Sequence, residues 1–205
     1  MSIVGVRTQK ELLGIPCLEL EIEPPAKKGI CVSRSFGEMQ IEYGVIKEAV
    51  ANFASSVSLK LRKQHSCAGI LQVFLHTNRF REDLPQCYLN RTVIIPVPSN
   101  SSIEIVKYAL MGLENIYRKG YHYKKAGVML SGIVPENTIQ TALFDSVNHT
   151  NQALVMKAID KTNKHYGKDT VRLVAQGFKR KWKLRQEKLS PSYTTRWSDI
   201  VTIKV

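Results

Sequence analysis

The chain has 205 residues, 43% of them hydrophobic, enough for one sizeable core or two small ones. Its formal charge is +13 and its pI about 9.7, a field that attracts polyanions, nucleic acid first. No stretch approaches the roughly 18 apolar residues of a membrane span, and MSIVGVRTQKELLG has no signal-peptide layout, so a cytoplasmic protein without a membrane partner is expected.

Met1 opens directly into a segment patterned like a domain interior, as in a piece of a longer protein. Residues 7–18 have the pattern of a helix tail ending at Gly14, and 19–28, with Pro24 and Pro25, form a linker. Residues 29–36 predict a strand. Residues 42–64 predict a long helix, with Val45, Ala49, Phe53, Val57 and Leu61 on one face and Ile46 and Val50 beside them. Strands follow at 68–77 and 91–97, separated by the loop Arg79–Asn90. Ser101 and Glu104 have capping-box spacing at the head of a second helix, which Gly120 closes. A fourth strand covers 121–133.

The β-α-β-β-α-β order over 29–134 predicts an α+β, ferredoxin-like domain: a four-stranded antiparallel sheet, two helices on one face, and the other face free to bind. Residues 135–150 read as a tether. Residues 151–205 read as a small basic α+β domain, with a helix at 151–166 and a short strand at Thr170–Ala175. The charge is uneven. Residues 1–150 hold 17 basic and 13 acidic side chains, net +4; residues 151–205 hold 13 and 4, net +9.

Catalytic signatures are missing. There is no G-x-S-x-G, P-loop or HExxH pattern. Cys17, Cys31, Cys67 and Cys87 form no CxxC pair, so no metal site or disulfide framework is expected. Glu82-Asp83, the nearest acidic pair, falls in a loop beside Arg79 and Arg81. The candidate chemistry is binding. Ser33, Arg34, Ser35 and Gly37 offer hydroxyls, a guanidinium and a backbone amide that suit phosphate oxygens. Lys124 and Lys125, with Thr77 and Arg79, extend that surface from other strands. Lys179, Arg180, Lys181, Trp182 and Arg185 mix cations with an aromatic ring, a pattern that holds single strands; Arg196, Trp197 and Tyr193 repeat it, with burial in a small core as the alternative for the rings.

SRSFGE at 33–38, the element order, and above all LSPSYTTRW at 189–197 resemble the UmuC-type branch of the Y-family translesion DNA polymerases. The resemblance runs from about Arg7 to Ile203. It implies that 1–28 is the end of a thumb domain and a linker, 29–134 a little-finger domain, 135–150 a tether, and 151–205 the branch's own C-terminal domain. It further implies that the little finger grips primer–template DNA, with the 33–37 segment on template phosphates, in a nucleoid-associated protein of SOS repair and mutagenesis. The palm carboxylates and their Mg²⁺ belong to a part not present here, so this chain itself is expected to hold no cofactor and catalyse nothing. Gln140, Leu143 and Phe144 resemble the pentapeptide that holds the β sliding clamp, with Thr141 where the family commonly has leucine. The UmuD′ dimer and the RecA filament are the implied partners of the C-terminal region. Two other readings stand beside this one. The chain is a protein-interaction adaptor recruiting UmuD′ and RecA with little direct DNA binding, or it is an RNA-binding module, which the lack of an RNP-like aromatic pair on the central strands disfavours.

Overall fold

The computed structural model describes residues 2–18, 22, 25–139, 147–184 and 189–201. Helix α1 spans Ile3–Leu12, with the Ser2 hydroxyl accepting the Gly5 N–H at its head. Then come β1 Ile30–Gln40, α2 Tyr43–Lys63, β2 Ser66–Thr77, β3 Tyr88–Ser99, α3 Ser102–Ile116, β4 Tyr123–Pro135 and α4 His149–Tyr166.

The sheet is four-stranded and antiparallel, in the order β1-β4-β2-β3. That order places β1 and β3 at the edges. Both α2 and α3 pack on one face, as the α+β reading predicts. The reason is pattern. The α2 stripe Ala49, Phe53, Val57 and Leu61 is buried, with Ile46 and Val50 beside it. Alternate residues of the central strands meet it: Leu71, Val73 and Leu75 from β2, Ala126, Val128 and Leu130 from β4. Removing each large side chain of this set from water contributes about 1.5–3 kcal/mol.

Ser101 does cap α3 by position, but its hydroxyl makes no capping bond. Glu104 accepts instead from the Ser99 hydroxyl, whose oxygen takes the Ser101 N–H at 3.1 Å. The carboxylate therefore acts through a relay at Ser99, two residues upstream of the expected box.

After α4 the chain returns to the core. Asn52 Nδ2 on α2 donates to the Gln176 carbonyl at 2.6 Å. Glu48 accepts from the Arg180 backbone N–H at 3.0 Å and from Trp182 Nε1 at 3.2 Å. Gly177, at φ +58°, lies so close to Glu48 that an added Cβ would stand 2.2 Å from the carboxylate oxygen. Arg62 grips Asp160 of α4 with two bonds of 2.7 and 2.9 Å and also donates to the Asn100 carbonyl. So α2 is buried on two sides, one by the sheet and one by 173–182.

Thr170–Ala175 is not a strand. Among the described residues beyond 149 there are only α4 and short 3-10 turns, at Val174–Gln176 and Trp197–Asp199. The physical reason is a substitute partner. Asn163 of α4 takes the Val171 N–H at 2.8 Å and donates to the Val171 carbonyl at 2.9 Å, doing for this backbone what a neighbouring strand would do.

Candidate nucleic-acid interface

The sheet face away from α2 and α3 carries no packed helix among the described residues. Register assigns its side chains in rows. Ser35 lies beside Lys125, then His76, then Tyr88. The next row is Ser33, Gly127, Phe74 and Asn90, and the one after it Cys31, Met129, Gln72 and Thr92. Ser33, Ser35 and Lys125 therefore share one face.

Arg34 does not share it. It pairs with Ala126, a core residue, and so falls on the helix side of the sheet. It remains exposed because β1 is an edge strand. Arg91 has the mirrored position on the other edge, opposite buried Val73, and is also exposed. Each edge thus carries one arginine at its rim.

Lys124 is skipped in both neighbouring ladders, a one-residue bulge on β4, and its ammonium donates to the Phe36 carbonyl at 2.8 Å. It braces the β1 edge. Thr77 is occupied as well: its hydroxyl donates to Gln86 at 2.7 Å and accepts the Cys87 N–H at 3.0 Å, tying down the β2–β3 loop. The Gly37 amide, expected to face phosphate, donates to the Trp182 carbonyl at 3.4 Å. Arg79 is exposed at the end of β2, with its guanidinium 4.9 Å from the Phe80 ring centroid. Topology brings Arg79, the α3–β4 loop with Arg118 and Lys119, and Lys125 to the same end of the sheet.

A ring stack crosses this face, and the sequence reading did not find it. The His76 imidazole lies 3.5 Å from Tyr88, centroid to centroid, and 4.9 Å from Phe74, stacked on both. Burial, and then the nearby Lys125 ammonium, push the His76 pKa below its ordinary value. Phe74 fits only because Gly127 lies beside it: a Cβ there would stand 2.2 Å from Phe74 Cζ and 2.6 Å from Ser33 Cβ. The period-2 alternation of Phe74 and His76 was the available signal; the cross-strand neighbour Tyr88 was not readable without register. Phe74 and His76 lie together on central strand β2, so the expected lack of an RNP-like aromatic pair weighs less against an RNA-binding module.

The C-terminal cluster divides. Trp182 is 5% exposed and lies in the core, so it is no free stacking surface. The Arg180 guanidinium pairs with Asp169. Lys179 and Lys181 are exposed, as are Arg196 and Trp197, the latter at 91%. Arg185 lies outside the described residues, as do Gln140, Leu143 and Phe144. Glu82 and Asp83 fall in the β2–β3 loop, with Asp83 bonded to Arg81 at 2.7 Å. No cluster of three or more metal-ligating side chains occurs among the described residues. No helix among them is long and apolar enough to cross a membrane.

Residues 27–143 match the model of the impB/mucB/samB family C-terminal domain. The chain belongs to that family. Residues 153–203 match a second model, a domain of unknown function (DUF4113). Among impB/mucB/samB relatives, the chain is 37% identical to the protein UmuC of Salmonella typhimurium over 99% of its own length and 48% of the relative's. It is 37% identical to the protein ImpB of Salmonella typhimurium over 97% and 47%. It is 34% identical to the protein MucB of Escherichia coli over 99% and 48%. The chain therefore spans about half the length of these relatives.

Proposed function

We propose that this chain is the DNA-gripping part of an error-prone translesion DNA polymerase of SOS repair and mutagenesis. The observation that carries this is the uncovered sheet face of an impB/mucB/samB domain, where Ser33, Ser35 and Lys125 share one side. Hydroxyls and an ammonium on a rigid sheet suit phosphate oxygens, which position a duplex without reading its sequence. A polymerase that copies damaged template gains from such a grip, because base-edge contacts would fail at the lesion. Arg34 and Arg91 at the two rims, with Arg79, Arg118 and Lys119 at one end, extend the positive field beyond the face. Polymerisation itself, with its Mg²⁺, would belong to a palm elsewhere in the parent protein; the part described here contributes holding power. In this reading Gln140, Leu143 and Phe144 tether the assembly to the β sliding clamp, and the C-terminal region meets the UmuD′ dimer and the RecA filament.

Binding of a primer–template duplex across a salt series tests the grip. Lys125→Glu should weaken binding tenfold or more and reduce the salt slope by about one. Arg34→Glu, at the rim, should cost less. An unchanged slope in Lys125→Glu would remove the sheet face from the interface.

A further inference from the structure

A cleft of about 920 Å³ opens between α2, α4 and the 168–176 segment, away from the uncovered sheet face. Its floor is aliphatic: Leu59 from α2 with Met156 and Ile159 from α4. Lys157, Lys161 and Lys164 line it at helical spacing, and Lys168 follows just past the helix. The four are exposed, and none pairs with a carboxylate among the described residues. Over the helical span from 157 to 164 the stripe runs about 10 Å.

The carboxylates of the cleft do not cancel this charge locally. Asp160 is held by Arg62 and Asp169 by Arg180, which leaves Glu136 on the wall. The lining has no Phe, Tyr or Trp among the described residues. That matters for the occupant, because single strands are held by stacking bases on rings. An aliphatic floor with a lysine rim instead matches a peptide helix that carries aliphatic side chains on one stripe and carboxylates beside it.

We propose that this cleft docks an acidic, amphipathic segment of a partner protein, its aliphatic side chains entering the floor between Leu59, Met156 and Ile159 and its carboxylates meeting the lysine stripe of α4. The site is separate from the sheet face, so this chain holds DNA and a protein partner at once.

Random 16-residue peptides displayed on phage and selected on the full chain test the assignment. Enriched peptides should combine Asp or Glu with aliphatic residues at three- and four-residue spacing. They should bind Lys157→Glu/Lys164→Glu at least tenfold more weakly than the parent chain, and Lys157→Ala/Lys164→Ala severalfold more weakly, with helical content by circular dichroism unchanged in the alanine pair. Oligo-dT should not displace them. The proposal is overturned if no peptide is enriched, if the enriched peptides lack acidic residues, or if both lysine pairs bind them as the parent does. Displacement by oligo-dT would overturn it in favour of a nucleic-acid groove. Because the readout is peptide binding, a failure here leaves the duplex-binding test untouched, and the reverse holds too.

Discussion

Trp182 stands edge-on to Phe53, with ring centroids 5.2 Å apart and planes at 78°. The two residues are 129 positions apart in the chain, and their contact closes the back of α2. Trp182 is fixed further by its Nε1 bond to Glu48 and by its carbonyl, which takes the Gly37 amide. One side chain thus links the basic C-terminal segment to both α2 and the β1 edge.

Trp182→Ala should therefore cost about 3–5 kcal/mol in urea unfolding, the usual range for deleting a buried ring of this size. Fluorescence gives an independent check. With Trp197→Phe, the remaining Trp182 emission should be blue-shifted and shielded from iodide; with Trp182→Phe, the remaining signal from 91%-exposed Trp197 should be quenched. Iodide quenching of Trp182 in the folded chain would contradict its place in the core.

Gly127→Ala should destabilise the sheet by about 1–3 kcal/mol, since overpacking forces neighbours to shift. The added methyl meets Phe74 and Ser33 at once. A double-mutant cycle measures the cause: Phe74→Ala should recover part of the loss, with coupling between the two sites of about 0.5–3 kcal/mol. Additive effects would show that Phe74 is not the obstacle.

Cys67 gives a pH signature. Burial, followed by the charges of Glu136 and Glu104, pushes its thiol up to about 12. The unfolded thiol ionises near its ordinary value of 9.0, so the unfolded state holds fewer protons between about pH 9 and 12. Stability contributed by the neutral thiol is complete below pH 9 and is lost as pH rises through that window. Urea midpoints should fall more steeply from pH 9 to 10 in the parent than in Cys67→Ala. In the same chain, exposed Cys31 should react with a thiol reagent well before Cys67.

Leu143→Ala with Phe144→Ala should abolish capture of purified β sliding clamp in a pull-down, because two apolar anchors supply the contact area of so short a motif. The same pair should leave duplex DNA binding within twofold of the parent. Retained clamp binding would refute the tether reading.

Much of the little-finger-like domain was legible from local pattern. The four-residue steps of Ala49, Phe53, Val57 and Leu61 describe a helix because 3.6 residues make a turn, and the buried stripe follows them. Strand ends moved by up to four residues: β1 runs to Gln40 where 36 was expected, and Tyr88–Ser99 replaces 91–97. The site was only half legible. Ser33 and Ser35 share a face by alternation, but whether Lys124 or Lys125 joins them depends on a bulge, which is a property of two strands together.

Within residues 29–134, local spacing by itself determined the element types, their order and the existence of an uncovered sheet face, since periodicity is written in neighbouring residues. Tertiary structure alone decided which cations share that face, that Phe74, His76 and Tyr88 stack, and that Trp182 is core and not interface. Those outcomes depend on strand register and on contacts across more than a hundred residues. A single residue's type carries no record of either: the same tryptophan in the same basic run suits a nucleobase or Phe53 equally well, and only the position of α2 chooses between them.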